Sequence, residues 1–301
     1  MTETLPIAPW RVFTVEVRAV HRLSPSFVRV TFTGPDLDRF ADNGWDQRIK
    51  LALPLPGQRG VRLPDGPDWY AQWRALSEEQ RNPVRTYTVR AVRPHLAEVD
   101  IDLVLHGDGG PATRWARRAR PGDEIALVGP DAGYPGDHGG IEFRLPSTGR
   151  LLLAGDETAA PAIAAILERL PLDASGRALI EVPEAADTLP LVTPPGVELT
   201  WLPRGSGGYG SLLVPAVAAA TGDLITASAE PATGPDDDVD VDTEILWEVP
   251  AEAPSSPLYA WLAGEAGVIR TLRRHLVGER GLDRRAVAFM GYWRLGRADV
   301  A

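Results

Sequence analysis

Three short segments of this chain hold side chains whose types and spacing suit a large, flat, phosphate-bearing ligand. The first is Arg85-Thr86-Tyr87-Thr88. An arginine offers charge to a phosphate, a tyrosine offers a flat face to a ring, and a hydroxyl reaches a ring's polar edge. In an extended strand, alternation sends Arg85 and Tyr87 to one face and Thr86 and Thr88 to the other. Four such residues alone also read as an ordinary strand with an exposed arginine. The second segment is His106-Gly107-Asp108-Gly109-Gly110-Pro111-Ala112-Thr113-Arg114-Trp115. Its glycines let the backbone approach closely, and the free N–H groups of a helix start suit a diphosphate, with the Thr113 hydroxyl beside them. Trp115 reads better as a packing residue; His106 divides evenly between a turn residue and a ligand contact. The third, Leu151-Leu152-Leu153-Ala154-Gly155-Asp156-Glu157-Thr158-Ala159-Ala160-Pro161-Ala162, has the strand–turn–helix order of a nucleotide-binding unit but lacks G-x-G-x-x-G. Gly155 and Thr158 are its candidate phosphate contacts. Asp156 and Glu157 would repel a phosphate, and read instead as helix caps or as neighbours of a bound ring.

The elements that must position these segments change character along the chain. Strands are expected at 10–20, 27–33, 48–53, 84–92, 99–106 and 124–129, where β-branched or alternating residues lie between turn clusters such as Gly34-Pro35-Asp36 and Arg120-Pro121-Gly122. Six short strands suggest a small antiparallel barrel, with helical pieces at 68–76 and from Pro111 onward. Beyond residue 150 strands and helices alternate: strands at 150–154, 178–182, 197–202, 259–263 and 286–292, helices at 158–170, 211–220 and 266–277. That order means a parallel sheet covered on both faces. The expected domains are 8–140 and 148–301, joined through the Gly-, Pro- and Asp-rich stretch 133–149. An acidic, proline-rich insertion at 225–257 carries Asp236, Asp237, Asp238, Asp240 and Asp242 and reads as a solvated loop, with a stray strand at 244–249. It lacks the ligand spacing and central glycine of a calcium loop, so no metal site is expected.

Composition narrows the chemistry. The 301 residues contain no cysteine, which removes disulfides, iron–sulfur clusters and thiolate zinc sites and leaves any redox chemistry to a bound organic cofactor. The same absence fits a reducing cytoplasm. No signal peptide and no membrane-length apolar run is found, so a cytoplasmic protein without membrane insertion is expected. A net charge of −10 argues against nucleic-acid binding. Among 31 basic residues only Lys50 is a lysine, which draws attention to that position.

In combination and order, the strand-borne R-x-Y-T, the glycine-rich helix start and the Gly-Asp-Glu-Thr-Ala turn resemble the siderophore-interacting protein family of ferric-siderophore reductases, relatives of ferredoxin–NADP reductases. The resemblance runs from about Trp10 to Arg297 and includes Phe27-Val28-Arg29-Val30-Thr31-Phe32, Ala263-Gly264-Glu265-Ala266 and Gly291-Tyr292-Trp293-Arg294. It implies an FAD-binding barrel followed by an NAD(P)H-binding α/β domain. Arg85, Tyr87 and Thr88 would hold the flavin, and Asp102, Val104, His106, Gly110, Ala112 and Thr113 would line the rest of its site. Asp156, Glu157, Thr158, Ala159, Gly264 and Glu265 would belong to the nicotinamide nucleotide site. Lys50, with Arg48 and Arg294, would meet the siderophore. The insertion at 225–257 departs from the family pattern.

Arg204 follows the strand that ends at Leu202, where the resemblance places an arginine for a 2′-phosphate, whereas Glu181 and Glu184 suit a free 2′-hydroxyl. The reading leans to NADPH, with NADH as the other donor. Nicotinamides give two electrons as hydride and ferric iron accepts one, so a flavin is the adaptor between them. Rival readings are reduction of free flavin, a quinone or a ferredoxin, siderophore binding without turnover, and an interaction module whose acidic insertion docks a basic partner.

Overall fold

Alternation along β1 (Trp10–Arg22) buries Phe13, Val15 and Val17 and exposes Thr14, Glu16 and Arg18. The strands β2 (Phe27–Thr33), β3 (Arg48–Ala52), β4 (Val84–Arg93), β5 (Glu98–Val104) and β6 (Glu124–Pro130) follow, with β2, β5 and β6 buried along most of their length. All neighbours pair antiparallel in the order β1-β2-β5-β4-β3-β6, and the sheet closes into a barrel. Its interior holds Phe13, Val30, Phe32, Ile49, Leu51, Ile101, Leu103 and Leu127. The computed structural model describes residues 7–105, 110–147, 149–224, 246–252 and 256–296, and the chain divides into two units between Ile141 and Glu142.

β5 departs from simple alternation because its outward carboxylates are buried too. Asp100 accepts from Arg93 at 2.7 and 2.8 Å and from Thr31 at 2.7 Å, while Asp102 accepts from Arg29 at 2.7 and 2.8 Å. Burial works to raise the Asp100 pKa, but the hydrogen bonds from Arg93 and Thr31 outweigh it and hold the carboxyl below the usual range. Helix α1 (Trp69–Ala75), between β3 and β4, buries Trp73 outside the barrel beside Ala52, Val84 and Ala126. Helix α2 (Pro111–Ala116) follows β5. The expected end of the fifth strand, His106, lies outside the described residues.

In the second unit the strands β7 (Arg150–Gly155), β8 (Ser175–Val182), β9 (Gly196–Pro203), β11 (Leu258–Glu265) and β12 (Val287–Trp293) run parallel in the order β12-β11-β7-β8-β9. The stray strand survives as β10 (Trp247–Glu248), two residues antiparallel to β12 at the edge; the aspartates at 236–242 lie outside the described residues. Leu152, Ala154, Leu179, Leu262 and Phe289 share one face and pack with α4 (Leu213–Leu224) and α5 (Ala266–Arg273). A Cβ on Gly155 would point to the opposite face and meet Ala159 Cβ at 2.5 Å, which sets α3 (Ala160–Leu167) on that side. The helix expected from 158 starts at Ala160, because the Asp156 side chain holds Thr158 in the preceding turn. The helix expected to 277 keeps α-geometry to Arg273 and then widens into a π-helical turn, Arg274–Glu279.

Candidate functional site

In the barrel, register decides which predicted residues share a face. Arg85 lies opposite Leu51 and Tyr87 opposite Ile49, and directly opposed residues in an antiparallel pair point the same way. Leu51 and Ile49 are interior residues, and the half-buried Tyr87 packs against that same cluster. Arg85 donates to the Val84 carbonyl at 2.8 Å and, among the described residues, has no carboxylate partner. A half-buried guanidinium without a counter-ion is the environment a phosphate-bearing ligand would complete. On the other face of this ribbon Lys50 lies opposite Thr86 and Arg48 opposite Thr88, and Lys50 Nζ donates to Thr86 Oγ1 at 2.7 Å. Thr88 is buried. The basic pair therefore shares a face with the two threonine hydroxyls rather than with Arg85 and Tyr87.

Helix α2 begins at Pro111 with Gly110 before it, and among the described residues no side chain caps its first turn. Ala112 and Thr113 are buried, as is Val104 at the end of β5. Gly110 is not demanded by conformation: the nearest atom a Cβ would meet is Thr113 Oγ1 at 3.9 Å. The Asp102 carboxylate is 4% exposed and doubly hydrogen-bonded by Arg29, with Arg90 at 3.8 Å, so it orders two guanidinium groups. The partner across the barrel wall was invisible in sequence because it depends on the β2–β5 register. His106 lies outside the described residues.

In the second unit, the candidate residues gather where the parallel strands change direction of winding. β7 and β11 are neighbours, one leading outward to β8 and β9 and the other to β12. Ligands of such sheets sit beyond the carboxyl ends at this switch point. Gly155 is required there, since any Cβ would lie 2.4 Å from the Ala263 carbonyl oxygen. Gly264 has φ of +148°, and a Cβ would come within 2.7 Å of Asp156 Oδ2. Asp156 ties three elements together. It accepts from Thr158 N at 2.9 Å and from the Thr158 hydroxyl, from Glu265 N at 2.7 Å and from Trp293 Nε1 at 2.9 Å. Burial, with the neighbouring Glu157 charge, pushes its pKa up to about 6 against the hydrogen bonds from Thr158 and Trp293. Glu265 caps α5 through Val268 N at 3.0 Å and also accepts from Leu295 N at 3.2 Å. Ala159 is fully buried beside Gly155.

Arg204 and Glu181 are both engaged within the second unit, whereas Glu184 is not enclosed. Arg204 donates to both oxygens of Glu157 at 2.7 Å, is 7% exposed against 1% for its partner, and stacks over the Tyr209 ring at 4.1 Å. It is an internal clamp, not a guanidinium presented to a phosphate. Glu181 is fully buried and accepts from Gly210, Leu212 and Leu213 N–H groups at 2.8–3.0 Å, which caps α4. Glu184 stays exposed, in a capping box with Asp187. Tyr209 meets Trp293 edge-on at 4.7 Å, so an aromatic pair that sequence reasoning had not assigned stands beside Asp156. The Gly208-Tyr209-Gly210 run and the Trp293 of the late motif were its only signals. Arg294 follows β12 and is half-buried. Among the described residues no cluster of acidic or histidine side chains could hold a metal ion, and no helix is long and apolar enough to cross a membrane.

The barrel coincides with a family model described as a siderophore-interacting FAD-binding domain, matched over residues 16–134, and the second unit with one described as siderophore-interacting protein, matched over 148–296. The chain belongs to the siderophore-interacting protein family. An uncharacterized protein of Mycobacterium tuberculosis is 37% identical over 287 residues, 94% of this chain and 90% of that one. Ferric vibriobactin reductase ViuB of Vibrio cholerae is 28% identical over 93% of this chain and 88% of its own. The NADPH-dependent ferric-chelate reductase of Escherichia coli is 26% identical over 92% and 91%. A siderophore utilization protein from T. fusca has a similar crystal structure, with a TM-score of 0.74, 31% identity and coverage of 99% and 98%. FAD is thus the organic cofactor that the family implies, and the charge of Arg85, without a carboxylate partner among the described residues, fits its phosphates.

Proposed function

We propose that this member of the family is an NAD(P)H-dependent flavoprotein that reduces the iron of a ferric siderophore and so releases it as Fe(II). The observation that carries the reading is the β3–β4 register. It sets the lone lysine across from Thr86, on the strand that bears the R-x-Y-T residues. A positive charge for an anionic ferric chelate thereby stands on the strand next to the one assigned to the flavin. FAD, when bound, supplies the conversion of a two-electron hydride donor into single electrons. The protein's own residues bind and orient. Arg85 neutralises phosphate and Tyr87 supplies a flat face, while Thr88 lies on the other face of β4 with Lys50 and Arg48. Lys50 and Arg48 attract the chelate to a protein whose net charge of −10 would otherwise repel it. No general acid or base is needed at the iron, because Fe(II) is a poorer partner for hard oxygen ligands and dissociates.

The test is spectroscopic. Purified or FAD-reconstituted protein is expected to show flavin absorbance that NAD(P)H bleaches under argon and that a ferric siderophore restores, with Fe(II) caught by a chelating dye. Protein that takes up no FAD, or bleached protein that ferric siderophore leaves unchanged, would remove the reductase reading. Free flavin, a quinone and ferredoxin serve as competing acceptors in the same assay. Lys50→Ala is expected to raise KM for an anionic ferric siderophore by about fivefold, the scale of one screened charge pair of roughly 1 kcal/mol. Its flavin content should be unchanged. An unaltered KM would take Lys50 out of the substrate site.

A further inference from the structure

The carboxyl ends of β8 and β9 are poor in positive charge. Between Ala178 and Leu212 the sequence holds one basic residue, Arg204. Both of its terminal nitrogens are engaged by Glu157 at 2.7 Å, its other face lies on Tyr209, and only 7% of the side chain is exposed. Turning it toward a ligand would strand Glu157, a carboxylate that is 1% exposed. Of the two acidic candidates, Glu181 is enclosed and occupied by the start of α4. Glu184 is different. It is exposed two residues beyond the end of β8, with extended backbone at φ −132° and ψ 158°. The capping box with Asp187 takes one of its acceptor positions, and a carboxylate has about four. In dinucleotide-binding sheets an acidic side chain at the end of the second strand accepts from the ribose 2′-hydroxyl, and an arginine there accommodates a 2′-phosphate.

We propose that this end of the sheet selects the nicotinamide dinucleotide without a 2′-phosphate, with Glu184 accepting from the adenosine ribose hydroxyls and repelling a phosphate placed there. Arg204 acts as a positioning residue that holds Glu157 and Tyr209. In its electron donor the chain then differs from the E. coli reductase, whose name specifies NADPH. The inference rests on the second unit being the nicotinamide nucleotide site.

Calorimetric titration of the intact protein with ADP-ribose and with 2′-phospho-ADP-ribose tests it without turnover. ADP-ribose is expected to bind at least about tenfold more tightly, and kcat/KM should favour NADH over NADPH in the same direction. Glu184→Ala should narrow the ratio and Glu184→Arg should invert it; the position is exposed, so both variants should fold, with thermal denaturation as the check. Equal or tighter binding of the phosphorylated ligand by the wild type, or a ratio that Glu184→Arg leaves unmoved, would overturn the assignment. Binding of neither ligand would instead bring down the nucleotide-site reading, and this inference with it.

Discussion

Arg204→Ala is expected to lose about 3–5 kcal/mol of folding stability, the range for breaking a buried ion pair by removing one partner. The variant leaves Glu157 1% exposed with neither of its two 2.7 Å hydrogen bonds. It also leaves Glu181, 3.9 Å from the guanidinium, without that neighbouring charge. Tyr209 loses the cation stacked on its ring at 4.1 Å. Urea denaturation followed by tryptophan fluorescence measures the effect, and the midpoint should fall with little change in slope. The double variant Arg204→Met with Glu157→Leu should recover most of the loss, because well-packed apolar residues often replace a buried pair without penalty. A single variant within about 1 kcal/mol of wild type would mean that water reaches Glu157, placing the pair among exposed ones.

Asp156 gives a pH dependence whose sign can be worked out. Its folded pKa of about 6 lies above the ordinary aspartate value of 3.8, so the folded chain holds this proton more tightly than the unfolded chain. The resulting stability is fully present below about pH 4 and is lost as pH rises through about 6. At roughly 1.4 kcal/mol per unit, the loss is about 3 kcal/mol. Other groups titrate in the same window, so the informative quantity is wild type minus Asp156→Asn. That difference should fall by about 3 kcal/mol between pH 4 and pH 7.5 in matched urea denaturations. A difference that stays flat would show that Asp156 is ionised throughout, carried by its bonds from Thr158, Glu265 and Trp293.

Both architectures were legible in the sequence because their periodicities are strong. β1 alternates core and solvent residues, and Leu151–Leu153 has the unbroken apolar run of a strand covered on both faces. Element ends were less legible. The third helix begins two residues late because a single side chain, Asp156, holds Thr158 in a turn, and local propensity contains no trace of that bond. Within the candidate site, motifs name residues, but what each side chain meets depends on register or on a distant partner. Lys50 and Tyr87 were both selected, yet their facing came only from β3–β4 pairing. Asp102 and Arg204 were selected as ligand contacts, but each meets an opposite charge 73 and 47 positions away in sequence. A charged residue read in isolation looks available, and its counter-ion becomes visible only when the chain has closed on itself.

The barrel, a ring of strands each paired on both sides, presents among the described residues no free strand edge to a second molecule. In the other unit β12 is screened by β10, so among the described residues β9 alone presents an unshielded backbone edge of some length. That edge ends in Pro203, which has no N–H to donate, and carries the exposed charge of Glu198. Clumping by strand addition would therefore have to begin on β9, and removing that charge is the change that would invite it.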